Sequence, residues 1–327
     1  MDNDELEAVV LGGAERYTRD EMADASRMTL AEVARLWRAM GFPDVGDSRA
    51  FTDSDLSALL RVSALLERGM IDMDGIIEVA RSMGQTTARL AEWQVETIGR
   101  RVLAEGQQGW QDDTVAELTG ELSDLLPELE LLLGYVWRRQ LAATVGRYLD
   151  QPGGGDGDSE VLATVGFADL VSFTRLSRQL DEADLASLVQ TFESVSADIV
   201  HGESARLVKT LGDEVMFVAD TPDHAARIAV TLHQTQSRVY RMPQMRIGLA
   251  TGTVLNRMGD VFGTTVNRAS RMTAIARPGT TVVDSVTSEA LHGASAYEVD
   301  YHTRALTPRP VRGLGIVRPY ALVSDMD

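Results

Sequence analysis

The chain has 327 residues, with 49 acidic against 31 basic groups, a formal charge of -18, five histidines and no cysteine. That length admits two domains with real cores, and the charge argues against nonspecific binding to nucleic acid or an anionic membrane. Without cysteine there is no disulfide framework or thiolate site, scattered histidines disfavour a zinc cage, and neither a membrane-spanning run nor a basic-then-apolar leader is seen, so a soluble, cytoplasmic protein is expected.

Acid is concentrated in residues 1–150, about -13 against about -5 for the remainder, which leaves the second half better suited to an anionic substrate. Residues 1–126 read as helices throughout. Thr29-Leu30-Ala31-Glu32 is a capping-box pattern, with Leu30, Val33, Leu36 and Trp37 on one helical face behind it. Gly41-Phe42-Pro43 ends that helix. Thr52-Asp53-Ser54-Asp55 starts another, predicted to bury Leu56, Leu59, Leu60 and Val62. Further helices are expected around 76–83, 87–103 and 114–126.

After Pro127 a run through Leu129, Leu131, Leu132, Leu133, Val136 and Trp137 predicts a connecting helix to Leu149. It is apolar nearly all round and must be covered on most sides. Asp150-Gln151-Pro152-Gly153-Gly154-Gly155-Asp156-Gly157-Asp158 reads as a flexible linker. The expected division is therefore 1–126 helical, 127–158 connecting helix and linker, and 159–327 a second domain.

From Val161 the texture changes to alternating strands and helices. Strands are expected at 161–167, 206–210, 214–219, 245–251 and 281–284, with two more near 297–301 and 318–323. Helices are expected at 182–200, 223–238, 264–276 and 288–291. That order predicts an α+β sandwich with helices over an antiparallel sheet.

Three stretches carry the candidate chemistry. Phe167-Ala168-Asp169-Leu170-Val171-Ser172-Phe173-Thr174 ends a strand and enters a helix, so Asp169 can hold a cation while the start at Phe173 and Thr174 faces phosphate oxygens. Leu207-Val208-Lys209-Thr210-Leu211-Gly212-Asp213-Glu214 is a hairpin with a carboxylate, Asp213, at its tip, beside the chain's single lysine. Two carboxylates on neighbouring strands suit a pair of divalent ions. Gly259-Asp260-Val261-Phe262-Gly263 leads into a helix where Asn267 and Arg271, at i and i+4, share a face suited to a sugar oxygen and a phosphate. Taken singly, these groups read more readily as a helix cap, a solvated turn and an exposed polar pair.

Together, and in this order, F-A-D-L-V-S-F-T, K-T-L-G-D and G-D-V-F-G-T-T-V-N-R-A-S-R resemble the class III nucleotidyl cyclase catalytic domain, over about 161–323. The resemblance implies that Asp169 and Asp213 bind two Mg²⁺ or Mn²⁺ ions. It implies that Lys209 and Asp260 read adenine, that Asn267 orients the ribose, and that Arg271 stabilises charge on the α-phosphoryl group. Arg312 lies near where members often carry a triphosphate-binding lysine. Guanine-selecting members usually have Glu and a small polar residue at the base-reading positions, so Lys with Asp implies ATP as substrate and 3′,5′-cyclic AMP with pyrophosphate as products. Members share each site between protomers, which implies a homodimer. The short connection from Thr251 to Gly259 resembles the short-armed bacterial subclass.

The first half is similar to the regulatory domain of the actinobacterial pH-responsive cyclases, yet residues 1–150 hold no histidine. A pH switch near neutrality would use His201, His224, His233, His292 or His302, or perturbed carboxylates. An apolar small-molecule regulator held among the helices is the other expectation. Within this half, Tyr17-Thr18, the Thr29 helix, Gly41-Phe42-Pro43 and Phe51-Thr52-x-x-Asp55-Leu56 resemble the winged helix-turn-helix of MerR-type regulators over 17–69. Asp44, Asp47, Asp53 and Asp55 crowd the side that would meet phosphates, so protein contacts are expected there and nucleic-acid binding is not. A nucleotide-sensing transcriptional regulator is the alternative reading. A third, a diguanylate cyclase, rests on the echo of G-G-D-E-F in Leu211-Gly212-Asp213-Glu214-Val215, but Leu211 replaces the first glycine.

Overall fold

The structure, a computed structural model, describes residues 3–105, 112–150, 160–239, 241–257, 259–293 and 301–324. The chain divides into two compact units, Met1–Pro152 and Gly153–Asp327.

The first unit is helical: α1 (Asn3–Leu11), α2 (Arg19–Ser26), α3 (Leu30–Ala39), α4 (Asp53–Glu67), α5 (Met73–Glu105) and α6 (Asp112–Asp150). Three helices begin on reciprocal capping boxes, Thr18 with Glu21, Thr29 with Glu32 and Thr52 with Asp55. Each satisfies two backbone donors that a helix start would otherwise leave open. The amphipathic stripes meet in a core of Met22, Val33, Leu36, Phe51, Leu59, Ile76 and Ile77. Leu30 and Leu60, expected inside, are exposed. Leu30 is the first residue after its cap and Leu60 falls one position beyond the buried Leu59, off the core stripe.

The helices expected at 76–83 and 87–103 are one helix, α5, and Pro127 lies inside α6 rather than before it. A proline costs an interior turn one hydrogen bond. Helix propagation on both sides of it, once nucleated, carries α6 through. The expectation that this helix is covered also fails within the chain. Leu131, Tyr135, Trp137 and Leu149 are 60–75% exposed. The expected linker at 150–158 lies almost wholly outside the described residues.

The second unit runs β1 (Glu160–Leu170), α7 (Phe173–Leu176), α8 (Glu182–Gly202), β2 (Arg206–Thr210), β3 (Glu214–Ala219), α9 (Pro222–Arg238), β4 (Met245–Arg257), β5 (Asp260–Phe262) and α10 (Thr264–Ile275). It continues through β6 (Thr280–Val283), α11 (Ser285–Gly293), β7 (Tyr301–Ala305), β8 (Arg309–Val311), β9 (Gly315–Val317) and β10 (Tyr320–Ser324). The main sheet has the order β2-β3-β1-β4-β6-β10-β7, with β5 added to β4, while β8 and β9 form a separate hairpin. The β2–β3 hairpin falls on the expected residues. The strand expected near 297–301 lies mostly outside the described residues, and β7 begins at Tyr301.

The sheet is not wholly antiparallel, because β4 and β6 pair in parallel. A parallel pair needs a crossover, and β5 with α10 supplies it. Both faces of the central strands are covered, so β1 and β3 read as continuous apolar runs. Val215, Phe217, Ile247 and Leu249 pack on one face with Phe192 of α8 and Ile228 and Leu232 of α9. Val165, Met216, Val218 and Ala250 pack on the other with Ala269 and Val266 of α10.

Candidate active site

The two carboxylates meet at one end of the sheet. Asp169 lies near the C-terminal end of β1, opposite Glu214 of β3, and the amide of Leu170 donates to the Asp213 carbonyl at 2.8 Å. Asp213 follows Gly212, whose φ of 71° makes the tight turn that a glycine takes without strain. The Asp169 side chain is only 16% exposed. Burial pushes its pKa up, Arg246 pulls it back through a hydrogen bond and its charge, and Asp213 adds repulsion. Glu214 is pushed up by burial and by the charges of Asp169 and Asp213. This is a crowd of oxygen donors with excess negative charge, which suits a hard divalent cation. Among the described residues no group of three or more His, Cys, Asp or Glu forms a metal cage. Asp169 and Asp213 are the two candidate carboxylates that could hold such a cation here.

On the other side of the hairpin, Lys209 Nζ donates to Asp260 Oδ2 at 2.7 Å, both side chains about one-third exposed. Burial raises the Asp260 pKa, but Lys209, the Val261 amide and Arg206 outweigh it and hold the carboxyl below its usual range. A donor and an acceptor thus stand fixed side by side.

Asn267 and Arg271 lie on the exposed face of α10. The opposite face is pressed onto β4. A Cβ added at Gly248 would stand 2.1 Å from the Thr273 amide nitrogen, and one at Gly252 would stand 2.7 Å from Thr265 Oγ1. Polar bonds lock the same seam. Thr265 donates to the Thr253 carbonyl at 2.7 Å, Arg268 Nη2 to the Thr251 carbonyl at 2.8 Å, and Arg268 Nε faces Asp284 Oδ2 at 3.0 Å. Asp284 itself is buried and accepts from the Thr287 amide and hydroxyl. The helix is therefore rigidly placed, while its two candidate side chains, Asn267 and Arg271, are exposed.

Of the nine candidate residues, the fold brings Asp169 to Asp213 and Lys209 to Asp260. Phe173 packs partly into the core beside them and Thr174 is exposed, after Ser172, which sits in the left-handed region at φ 63°. Arg312 lies in the exposed turn of the separate β8–β9 hairpin. Among the described residues no hydrogen bond or ion pair joins it, Asn267 or Arg271 to the other candidates.

The model of the adenylate and guanylate cyclase catalytic domain matches residues 159–324. An adenylate cyclase of Streptomyces coelicolor is 44% identical across 97% of this chain and 88% of its own length. The chain belongs to the class III nucleotidyl cyclase family. An adenylate cyclase of Streptomyces griseus is 42% identical across 97% of this chain and 88% of its own. A pH-sensitive adenylate cyclase of Mycobacterium tuberculosis is 27% identical across 90% of this chain and 74% of its own.

Three groups of this cyclase domain escaped the motif reading. Arg246, directly opposite Asp169 in the β1–β4 register, pairs with its carboxylate and leaves its own Nε buried without a partner. Arg206 and the Arg268–Asp284 pair brace the segments that carry Asp260 and Asn267. Their partners lie 16 to 77 residues away, beyond any local pattern.

Proposed function

We propose that the protein is an adenylate cyclase that converts ATP to 3′,5′-cyclic AMP and pyrophosphate at two sites shared between the protomers of a homodimer. The Lys209–Asp260 pair, 2.7 Å apart and partly open, carries this reading. It offers the adenine edge a donor for N1 and an acceptor for the N6 amine. Asp169 and Asp213 fit two Mg²⁺ or Mn²⁺ ions, which when bound neutralise phosphate oxygens and acidify the ribose 3′-hydroxyl. In the reaction the 3′-oxygen loses its proton and forms a bond to the α-phosphorus, while the bond from that phosphorus to the bridging oxygen breaks and pyrophosphate departs. Asn267 orients the ribose, Arg271 meets charge building on the α-phosphoryl group, and Phe173, Thr174 and Arg312 contribute to holding the triphosphate. Positioning and fixed charge supply the rate.

Two features support sharing between copies. Asn267 and Arg271 project outward with no partner among the described carboxylates, and α6 offers a long apolar surface to a second copy. The test is complementation. Asp169→Asn and Asn267→Ala proteins are each inactive, and an equal mixture recovers about a quarter of wild-type turnover, because half the dimers are mixed and each holds one intact site. No recovery after demonstrated subunit exchange would refute the shared site. Absence of cyclic AMP from the wild type with Mn²⁺ would refute the enzyme reading.

Regulation by the first unit is part of this proposal. A cavity of about 360 Å³, lined by Met22, Leu36, Trp37, Phe51, Ile76 and Met83 with Asp55 at its edge, suits an apolar ligand. The cytoplasm is the proposed compartment, and no helix among the described residues is long and apolar enough to cross a membrane. The DNA-binding alternative gains nothing from the geometry, since Arg16, Arg19, Arg35 and Arg49 each pair with a carboxylate of the same unit.

A further inference from the structure

Strand β2 contains a β-bulge. Arg206 pairs with Val218, Leu207 with Phe217 and Lys209 with Met216, which leaves Val208 without an opposite number. Cross-strand partners share a sheet face. Met216 and Val218 belong to the face packed by α10, where Val208 also lies, while Phe217 and Leu207 belong to the other. Residues three apart on a regular strand point to opposite faces. The extra residue cancels that parity, so Arg206 and Lys209 emerge on one side.

Both then reach the same hairpin, the turn from β4 to β5. Lys209 takes the Asp260 carboxylate. Arg206 Nη1 donates to the Gly259 carbonyl at 2.5 Å and Nη2 to Asn256 Oδ1 at 3.2 Å. The hairpin is short: β5 is three residues long, paired as Leu255–Phe262, Asn256–Val261 and Arg257–Asp260, and anchored by Val261 in the core. Gly259, at φ 81°, gives the turn a backbone that other residues rarely adopt. A planar guanidinium gripping both limbs of such a turn fixes its angle as a single ammonium could not.

We infer that Arg206 is a positioning residue for base selection: set in register by the bulge at Val208, it clamps the β4–β5 turn so that Asp260 is presented to the nucleobase beside Lys209. The inference rests on the reading of Lys209 and Asp260 as the adenine-recognising pair. Arg206 touches neither the base nor the phosphates in this scheme. Its effect belongs to nucleotide affinity and to the choice between adenine and guanine, not to the chemical step.

The test uses full-length Arg206→Met, Arg206→Lys and Asn256→Ala, with Lys209→Ala and Asp260→Ala as controls. Turnover is measured over ATP and GTP concentration series, and thermal midpoints are recorded. For Arg206→Met the expected result is an ATP KM about tenfold higher and an ATP-over-GTP preference reduced by a similar factor, as befits one lost charged hydrogen-bond clamp. Its kcat and midpoint should stay near wild type. Arg206→Lys, which keeps a donor for Gly259, should recover part of the loss, and Asn256→Ala should show a smaller loss of the same kind. If the controls lose the preference but Arg206→Met keeps KM and preference, the clamp is refuted and base reading stands. If the controls keep it, the base-reading assignment itself fails and the clamp falls with it. A kcat loss shared equally by both nucleotides would also overturn the clamp. Should Arg206→Met fold poorly, hydrogen exchange at the β4–β5 turn decides on the Arg206→Lys protein: faster exchange supports the clamp, unchanged exchange refutes it.

Discussion

The two units close their cores in different ways. In the second, strands are covered on both faces by their own chain, and Val165, Phe217, Ile247 and Leu249 are wholly inaccessible. In the first, α2 to α4 and the start of α5 enclose a small core, but α6 leaves Leu131 at 70%, Leu132 at 57% and Trp137 at 60% exposure. A soluble monomer seldom leaves so long an apolar surface bare. The cyclase unit is thus finished as packing, while under the proposed function its chemistry is left open, with Asn267 and Arg271 exposed. The helical unit is unfinished as packing. A second copy would complete both.

The largest effect should come from breaking that completion. Trp137→Glu with Leu131→Glu places charge where the dimer reading needs a buried aromatic and aliphatic contact. Central interface anchors of this kind contribute at least about 2 kcal/mol each, so losing two should lower dimer affinity roughly a thousandfold or more. Sedimentation across a dilution series would show it, and turnover per chain should become steeply concentration-dependent. An unchanged dimer would mean that α6 is covered by something other than a second copy.

Two glycines, one in each unit, should give effects of intermediate size. Gly84, on α5, packs against the end of α3, and a Cβ there would stand 2.2 Å from the Met40 carbonyl oxygen. Gly248 meets the backbone of α10 as closely. Gly84→Ala and Gly248→Ala should each lose about 1–3 kcal/mol of stability by overpacking, read as a lower thermal midpoint. Only Gly248→Ala should also lower kcat, because the helix it displaces carries Asn267 and Arg271. If kcat survives while the midpoint falls, the close seam between β4 and α10 matters to folding alone.

Sequence reading reached these elements unevenly, for physical reasons. The β2–β3 hairpin was legible to the residue because a glycine turn between two β-branched runs is a local signal; Lys209 and Asp213 lie on it, while Asp169 and Asp260 are candidates read from separate stretches on β1 and β5. Arg206, Arg246 and Arg268 were not, because 30 of the 31 basic residues are arginine (31 less the one lysine) and nothing local sets these three apart. The bulge at Val208 escaped for a related reason: strand register is decided by a partner strand, not by the strand itself. Pro127 misled, since a breaker within a long helix is outvoted by its neighbours. The parallel β4–β6 pair was hidden because a crossover is a property of topology, not of any one segment.

The smallest predicted effect concerns acid. Glu21 and Glu32 lie below the usual carboxylate range, chiefly because each accepts a hydrogen bond from the backbone amide of its capping threonine. A depressed carboxyl contributes stability that is present above its unfolded pKa and is lost as pH falls through the folded one. For these caps that window lies below about pH 4.5. The molecule allows the first unit to be followed alone: all four tryptophans, Trp37, Trp93, Trp110 and Trp137, lie within it, and all five histidines lie outside it. Melts of the full chain read by tryptophan fluorescence should therefore hold a nearly steady midpoint from about pH 8 to 5.5, where histidine is the side chain that ordinarily titrates. They should drop below about pH 4.5, and Glu32→Gln should blunt that drop by about 1–2 °C. A midpoint that moved between about pH 8 and 5.5 would point to the histidine-bearing unit, since the first holds no histidine. The same melts would then locate a neutral-range pH response in the catalytic half, with the helical half following it.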